Sequence, residues 1–148
     1  MIQKYFNKKD LIAIRNACTE AEKSTSGEIR VSILSKRNKN QKNLSLEELA
    51  IQEFHDLKMH ETRDKTGILL FLLLKEKQFQ ILADEGINQK VAPETWQRQT
   101  EILTEYFKNK NHTEGVVTLI QNMGKILTDY FPVKKDDTNE LSNDVVIR

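Results

Sequence analysis

The chain has 148 residues, 38% of them hydrophobic and 30% charged, with a formal net charge of +1. That length and balance suit one globular domain with one core. They exclude a disordered or membrane-spanning chain, and they give no electrostatic support for binding nucleic acid or anionic lipid. The longest apolar run, Ile68 to Leu74, is far short of the ~20 residues a transmembrane helix needs.

The first ten residues carry no apolar signal core. The single cysteine, Cys18, allows no intrachain disulfide. Both observations lead us to expect a cytoplasmic protein.

Residues 8–24 read as a helix, because Leu11, Ile14, Ala17, Cys18 and Ala21 recur at three- and four-residue steps. Cys18 lies on that apolar face and is expected to be a buried packing residue. Thr25-Ser26-Gly27 breaks the helix. Glu28 to Leu34 then alternates, with Ile29, Val31 and Ile33 on one side and Glu28, Arg30 and Ser32 on the other, which predicts a strand with one apolar and one polar face. Residues 35–43 are polar and basic and are expected to be a solvated connection rather than a phosphate grip.

A second helix is predicted to begin sharply after Ser45. Ser45-Leu46-Glu47-Glu48 is a capping box, Leu44 and Leu49 form its hydrophobic staple, and the helix should fade near Lys58. Gly67 to Leu74 has no polar alternation, so it reads as a strand covered on both faces at the middle of a sheet. After the charged turn Lys75-Glu76-Lys77, residues 78–84 return as a third strand, in a hairpin with the second. Pro93 suits the first turn of a third helix carrying Trp96, Leu103, Tyr106 and Phe107 inward. A fourth helix, from about Thr113, presents Val116, Ile120, Met123, Leu127 and Tyr130 and stops before Pro132. These elements predict an α/β domain over residues 1–132, a central mixed sheet sandwiched between helix layers. Residues 133–148 should be a polar tail, extended or disordered. Leu141, Val145, Val146 and Ile147 offer the alternative of adding as a strand to a sheet edge.

Topology then suggests a site. A crossover helix joins the first two strands, so they should be parallel, and the hairpin makes the third antiparallel to the second. The start of the first two strands and the end of the third then share one edge of the sheet. That edge collects Glu28, Asp64, Asp84 and Glu85, flanked by Gly27, Gly67 and Gly86. Gathered carboxylates suit a hard divalent cation, Ca²⁺ or Mg²⁺, and these four acids are the candidate metal ligands. The ordinary alternative is that such acids face water or cap helices. The three histidines give no metal motif: His55 and His60 are five apart and do not share a helix face.

Several stretches resemble the TPM domain family. Thr25-Ser26-Gly27-Glu28-Ile29-Arg30-Val31 is similar to its opening motif, Thr62 to Leu70 to its second, and Ile81-Leu82-Ala83-Asp84-Glu85-Gly86-Ile87 to its third. Trp96, Phe131-Pro132 and Asn139-Glu140-Leu141 also fit, so the resemblance runs from about Ile12 to Leu141. It implies a sheet between helix layers. It further implies divalent-cation binding in some members, accessory roles at membrane complexes in others, and acid phosphatase activity in some thylakoid-lumen relatives. The matching acids are Glu28, Asp64 and Asp84. Many members carry an export signal and a membrane anchor. Neither is visible here, so a stand-alone version without a membrane anchor is expected. Thr66 stands where the family often has asparagine.

A cation-binding accessory domain is therefore the first expectation, with an unknown protein partner. A metal-assisted phosphomonoester hydrolase is the alternative, in which Glu28 or Asp84 would be a ligand and Arg30 or Arg63 would neutralise transferring charge. The usual phosphatase signatures are missing: no arginine loop follows Cys18, and Asp136-Asp137-Thr138 lacks the nucleophile spacing.

Overall fold

The structure is a computed structural model, and it describes residues 1–134 and 140–148. Helix α1 (Lys8–Glu22) leads into β1 (Glu28–Leu34), α2 (Leu46–Asp56), β2 (Gly67–Leu73) and β3 (Gln78–Ala83). Then come a four-residue helix α3 (Glu85–Asn88), the long helices α4 (Pro93–Lys108) and α5 (His112–Tyr130), and a two-residue strand β4 (Val146–Ile147). The sheet order is β3-β2-β1-β4. β1 and β2 are parallel, β2 and β3 antiparallel, and β4 runs parallel to β1. The predicted crossover and hairpin are both present.

All seven residues of β2 are buried, which is why its sequence shows no alternation. One face of the sheet packs on α1, α4 and α5 through Ile29, Val31, Ile33, Ile68, Leu70 and Leu72. The other packs on α2 through Leu69, Phe71 and Leu73, against Leu49, Ala50 and Phe54. The sheet is thus sandwiched between helix layers, as the pattern predicts.

Local signals account for most helix ends. Ser45 Oγ accepts from Glu48 N at 3.0 Å while Glu48 Oε1 accepts from Ser45 N at 2.9 Å, the capping box read from the sequence. Asn7 and Asp10 make the same reciprocal pair on α1. Pro93 opens α4. The basic loop is held in place rather than left solvated at Arg37, whose Nε donates to Glu76 Oε2 at 2.6 Å and whose guanidinium also bonds the Gln41 and Leu44 carbonyls.

Two features depart from the pattern reading. The polar side of β1 is not a water-facing side: Glu28 and Ser32 are 4% and 0% exposed, covered by α2 and by residues 140–148. The third strand stops at Ala83, and Asp84 becomes the N-cap of α3 with Oδ1 accepting from Glu85 N at 2.8 Å. Residues 135–139 of the expected polar tail lie outside the described residues. Val146 and Ile147 form a strand on the β1 edge.

Candidate functional site

The three motifs converge on one end of the sheet. Glu28 at the head of β1 is in register with Gly67 at the head of β2, and Asp84 N donates to Gly67 O at 2.9 Å. Glu28 and Asp84 therefore flank Gly67, two strand spacings or ~10 Å apart along the backbone. Glycine is required between them. A Cβ at Gly67 would lie 2.8 Å from Met59 O, so only glycine lets the chain at Met59 rest on the sheet end.

Buried threonines tie the loops together. Thr25, Thr62 and Thr66 are 3%, 4% and 4% exposed. Thr25 Oγ1 donates to Phe131 O at 2.5 Å and accepts from Gly27 N at 3.1 Å. Thr62 Oγ1 accepts from Thr66 N at 3.2 Å, and Thr66 Oγ1 donates to Ser26 O at 3.3 Å. The motif threonines thus lash the β1 entry, the β2 entry and the end of α5 into one frame. Gly86 completes it: Gly86 N donates to Lys65 O at 3.0 Å, and a Cβ there would sit 2.5 Å from both Asp64 O and Lys65 O.

The four candidate acids have different surroundings. Glu28 Oε1 accepts from the Glu140 amide at 2.7 Å. Asp64 is exposed to solvent on one side and accepts from Lys134 Nζ at 3.0 Å and Arg63 at 3.2 Å. Those two cations, Lys134 first, hold its carboxyl below the usual range. Asp84 caps α3 through Oδ1, while its Oδ2 is buried and has no hydrogen-bond partner. Glu85, in the first turn of α3, is exposed. Among the described residues, no three His, Cys, Asp or Glu side chains lie close enough together to hold a metal ion. A cation here would draw on main-chain oxygens as well, and the Asp64 and Lys65 carbonyls packed on Gly86 are of the hard type Ca²⁺ and Mg²⁺ take.

Further along the β1 edge lies a second group of acids that the sequence does not announce. Glu53 of α2 is 7% exposed. It accepts from Ser32 Oγ at 2.5 Å and from Arg148 through Nε at 3.1 Å and through a terminal guanidinium nitrogen at 3.0 Å. Glu22, at the end of α1, accepts the edge amide of Ile29 at 2.7 Å. Burial pushes the Glu22 carboxyl up to about 8, with the charge of Glu28 adding to it, against the bonds from Ile29 and Asn143 and the charge of Arg30. The Asn143 amide lies between Glu22 and Thr19. Asn143 Nδ2 donates to the Glu22 carboxyl oxygens at 3.1 Å, and Asn143 Oδ1 accepts from Thr19 Oγ1 at 3.0 Å. Arg30 donates to Asp144 O at 3.3 Å, and burial lowers its pKa.

The remaining candidates are structural. Cys18 is 0% exposed, and burial pushes its thiol up to about 12. The His55 and His60 rings, five positions apart in sequence, meet at 4.5 Å because Lys58 adopts a left-handed conformation (φ 58°) that folds the chain back after α2. The His112 ring packs on Tyr5 and Phe107 at 4.7 and 4.6 Å. No helix among the described residues is long and apolar enough to cross a membrane.

A family model described as the TPM domain matches residues 3–126. Among solved structures, the chain is similar to the BA42 protein of the psychrophilic bacterium Bizionia argentinensis, with 34% identity, a TM-score of 0.87, and coverage of 100% of this chain and 99% of that one. It shares its fold with the N-terminal domain of a protein from P. gingivalis, at 15% identity and a TM-score of 0.70, over 86% of this chain and 79% of that one. The same holds for the N-terminal domain of cg2496 from Corynebacterium glutamicum, at 11% identity and a TM-score of 0.61, over 95% and 80% of the two chains. None of the curated proteins compared with the chain matches it.

Proposed function

The chain belongs to the TPM domain family, and we propose that it works as a divalent-cation-binding accessory domain whose ion sits at the convergent end of the sheet. The carrying observation is Asp84 Oδ2, a buried carboxylate oxygen with no hydrogen-bond partner. A buried oxygen of that kind is costly unless something neutralises it. The Asp64 and Lys65 carbonyls pack on Gly86, two residues after Asp84, and Glu28 pairs with Gly67, whose carbonyl accepts from Asp84 N. Asp84 is the anchoring ligand in this reading. Main-chain oxygens supply further positions, and Asp64 joins when it releases Lys134. Glu85 serves at most as an outer charge.

The phosphatase reading has less support. Cys18 is sealed in the core, and Arg30, one of the two arginines it would enlist, bonds the Asp144 carbonyl.

The test is thermal unfolding of chelator-treated protein with and without millimolar Ca²⁺ or Mg²⁺, for the parent and for Asp84→Asn. An ion that binds only the folded state raises the midpoint by mass action. The parent should shift and the variant should not. An unmoved parent midpoint at saturating cation refutes the proposal.

A further inference from the structure

Residues 140–148 lie on the β1 edge without being buried: every one of them keeps solvent contact, and only Val146 and Ile147 join the sheet. The groups beneath them are the reverse, with Glu28, Ser32 and Glu53 at 4%, 0% and 7% exposure. Three carboxyl groups spaced along this edge each meet one polar group of the segment. Glu28 receives the Glu140 amide, Glu22 meets the Asn143 side chain, and Glu53 takes the Arg148 guanidinium. Main-chain bonds fix the register, with Arg148 N donating to Ile33 O at 2.8 Å and Ser35 N donating to Arg148 O at 3.4 Å. Leu141 packs against the core cluster on the α2 side of the sheet and Val145 against the cluster on the other side. Ladder bonds of this sort accept any extended chain, while the placed acids and apolar contacts select which one.

We infer that the outer edge of β1 is a strand-recognition site with an exchangeable occupant. The partner it fits is an extended peptide that repeats the order of residues 140–148, with a leucine, then an asparagine two positions on, a run of β-branched residues, and an arginine five positions after the asparagine. The chain's own segment is the resident ligand. Tethering gives it a local concentration in the ~mM range, so it holds the site until its grip is weakened or a better-matched strand arrives.

The experiment uses the full chain and a fluorescein-labelled peptide of residues 140–148, read by anisotropy. The parent should bind the peptide only toward ~mM concentrations. Arg148→Ala removes the charge-assisted bonds of the resident segment alone, so that chain should bind the peptide about tenfold more tightly or better. Adding Glu53→Gln to Arg148→Ala removes the acid that reads the peptide's arginine and should cancel the gain. Amide hydrogen exchange of the parent gives a readout that needs no variant. The Arg148 amide should exchange by local opening, well ahead of Leu70 in the buried strand β2. Equal peptide affinity for the parent and Arg148→Ala overturns the inference, and so does an Arg148 amide that exchanges only together with Leu70. A concentration-dependent dimer that the peptide dissociates supports it, with a second copy donating the strand.

Discussion

Glu22→Gln separates a buried, protonated carboxyl from an ordinary surface acid. The Glu22 carboxyl titrates near 8 in the folded protein against 4.5 as its reference value. Between those two pH values the folded state holds a proton that the unfolded state has released. Stability contributed by this group is therefore fully present below about pH 4.5 and is lost as pH rises, with the loss complete just above pH 8. At ~1.4 kcal/mol per pKa unit the upper limit is near 5 kcal/mol. Solvent reaches part of this side chain, which reduces the expected loss to about 2–3 kcal/mol. Glutamine mimics the neutral acid closely: its carbonyl can accept from Ile29 N, and its amide can donate to Asn143 Oδ1 when the Asn143 amide turns over. Urea unfolding of parent and variant at pH 5, 6.5, 8 and 9 should give equal stabilities at the acid end and a more stable variant at the alkaline end. Parallel curves across the whole range would refute the reasoning, since they would mean Glu22 titrates alike in both states.

Other substitutions and reagents test the frame around the site. Gly86→Ala forces a Cβ to within 2.5 Å of two main-chain carbonyls, where no flexible side chain can give way. It should cost about 1–3 kcal/mol in denaturant unfolding, and an unchanged midpoint would show that the 62–66 loop yields freely. The Cys18 thiol, buried and pushed up to about 12, should react with a thiol reagent only as fast as the protein unfolds. Rapid labelling in native buffer would contradict its burial. Asp84→Asn, apart from its effect on cation response, should leave α3 capped, because asparagine is as good an N-cap as aspartate. Its stability in chelator should therefore equal or exceed that of the parent, because it takes the negative charge off a carboxyl whose Oδ2 is buried without a hydrogen-bond partner.

The fold was legible wherever a signal is local or periodic. The apolar run of β2 announced a central strand, the Ser45 capping box announced the start of α2, and the crossover between β1 and β2 implied parallel pairing. The parallel pairing of β1 and β2, together with the hairpin from β2 to β3, was enough to bring Glu28, Gly67 and Asp84 to one end of the sheet. What stayed hidden depends on distant partners or on elements too short to show a period. Helix α3 has four residues, less than the stretch periodicity needs, though Asp84-Glu85-Gly86 is a plausible cap. Ser32 and Glu28 read as a polar face because nothing local says that Glu53, Glu140 and Arg148 will cover them. The spacing of His55 and His60 argues them apart on a helix, yet α2 ends at Asp56 and the left-handed turn at Lys58 brings the rings into contact. The threonines of the motifs sat in plain view. Their role as lashings appears only once the loops they join are known.

The bond between the Glu140 amide and Glu28 also fixes an order of events. It spans 112 positions. A chain leaving the ribosome completes β1, α2, β2 and β3 long before the residues that seal β1 have been made. During that interval Ile29, Val31 and Ile33 belong to a strand with an unfinished side, the kind of edge on which chains associate wrongly. Glu22 and Glu53 are encoded early and lie along the same side. Charged and water-seeking until their partners arrive, they are placed to keep other strands away while the domain waits for its last pairing.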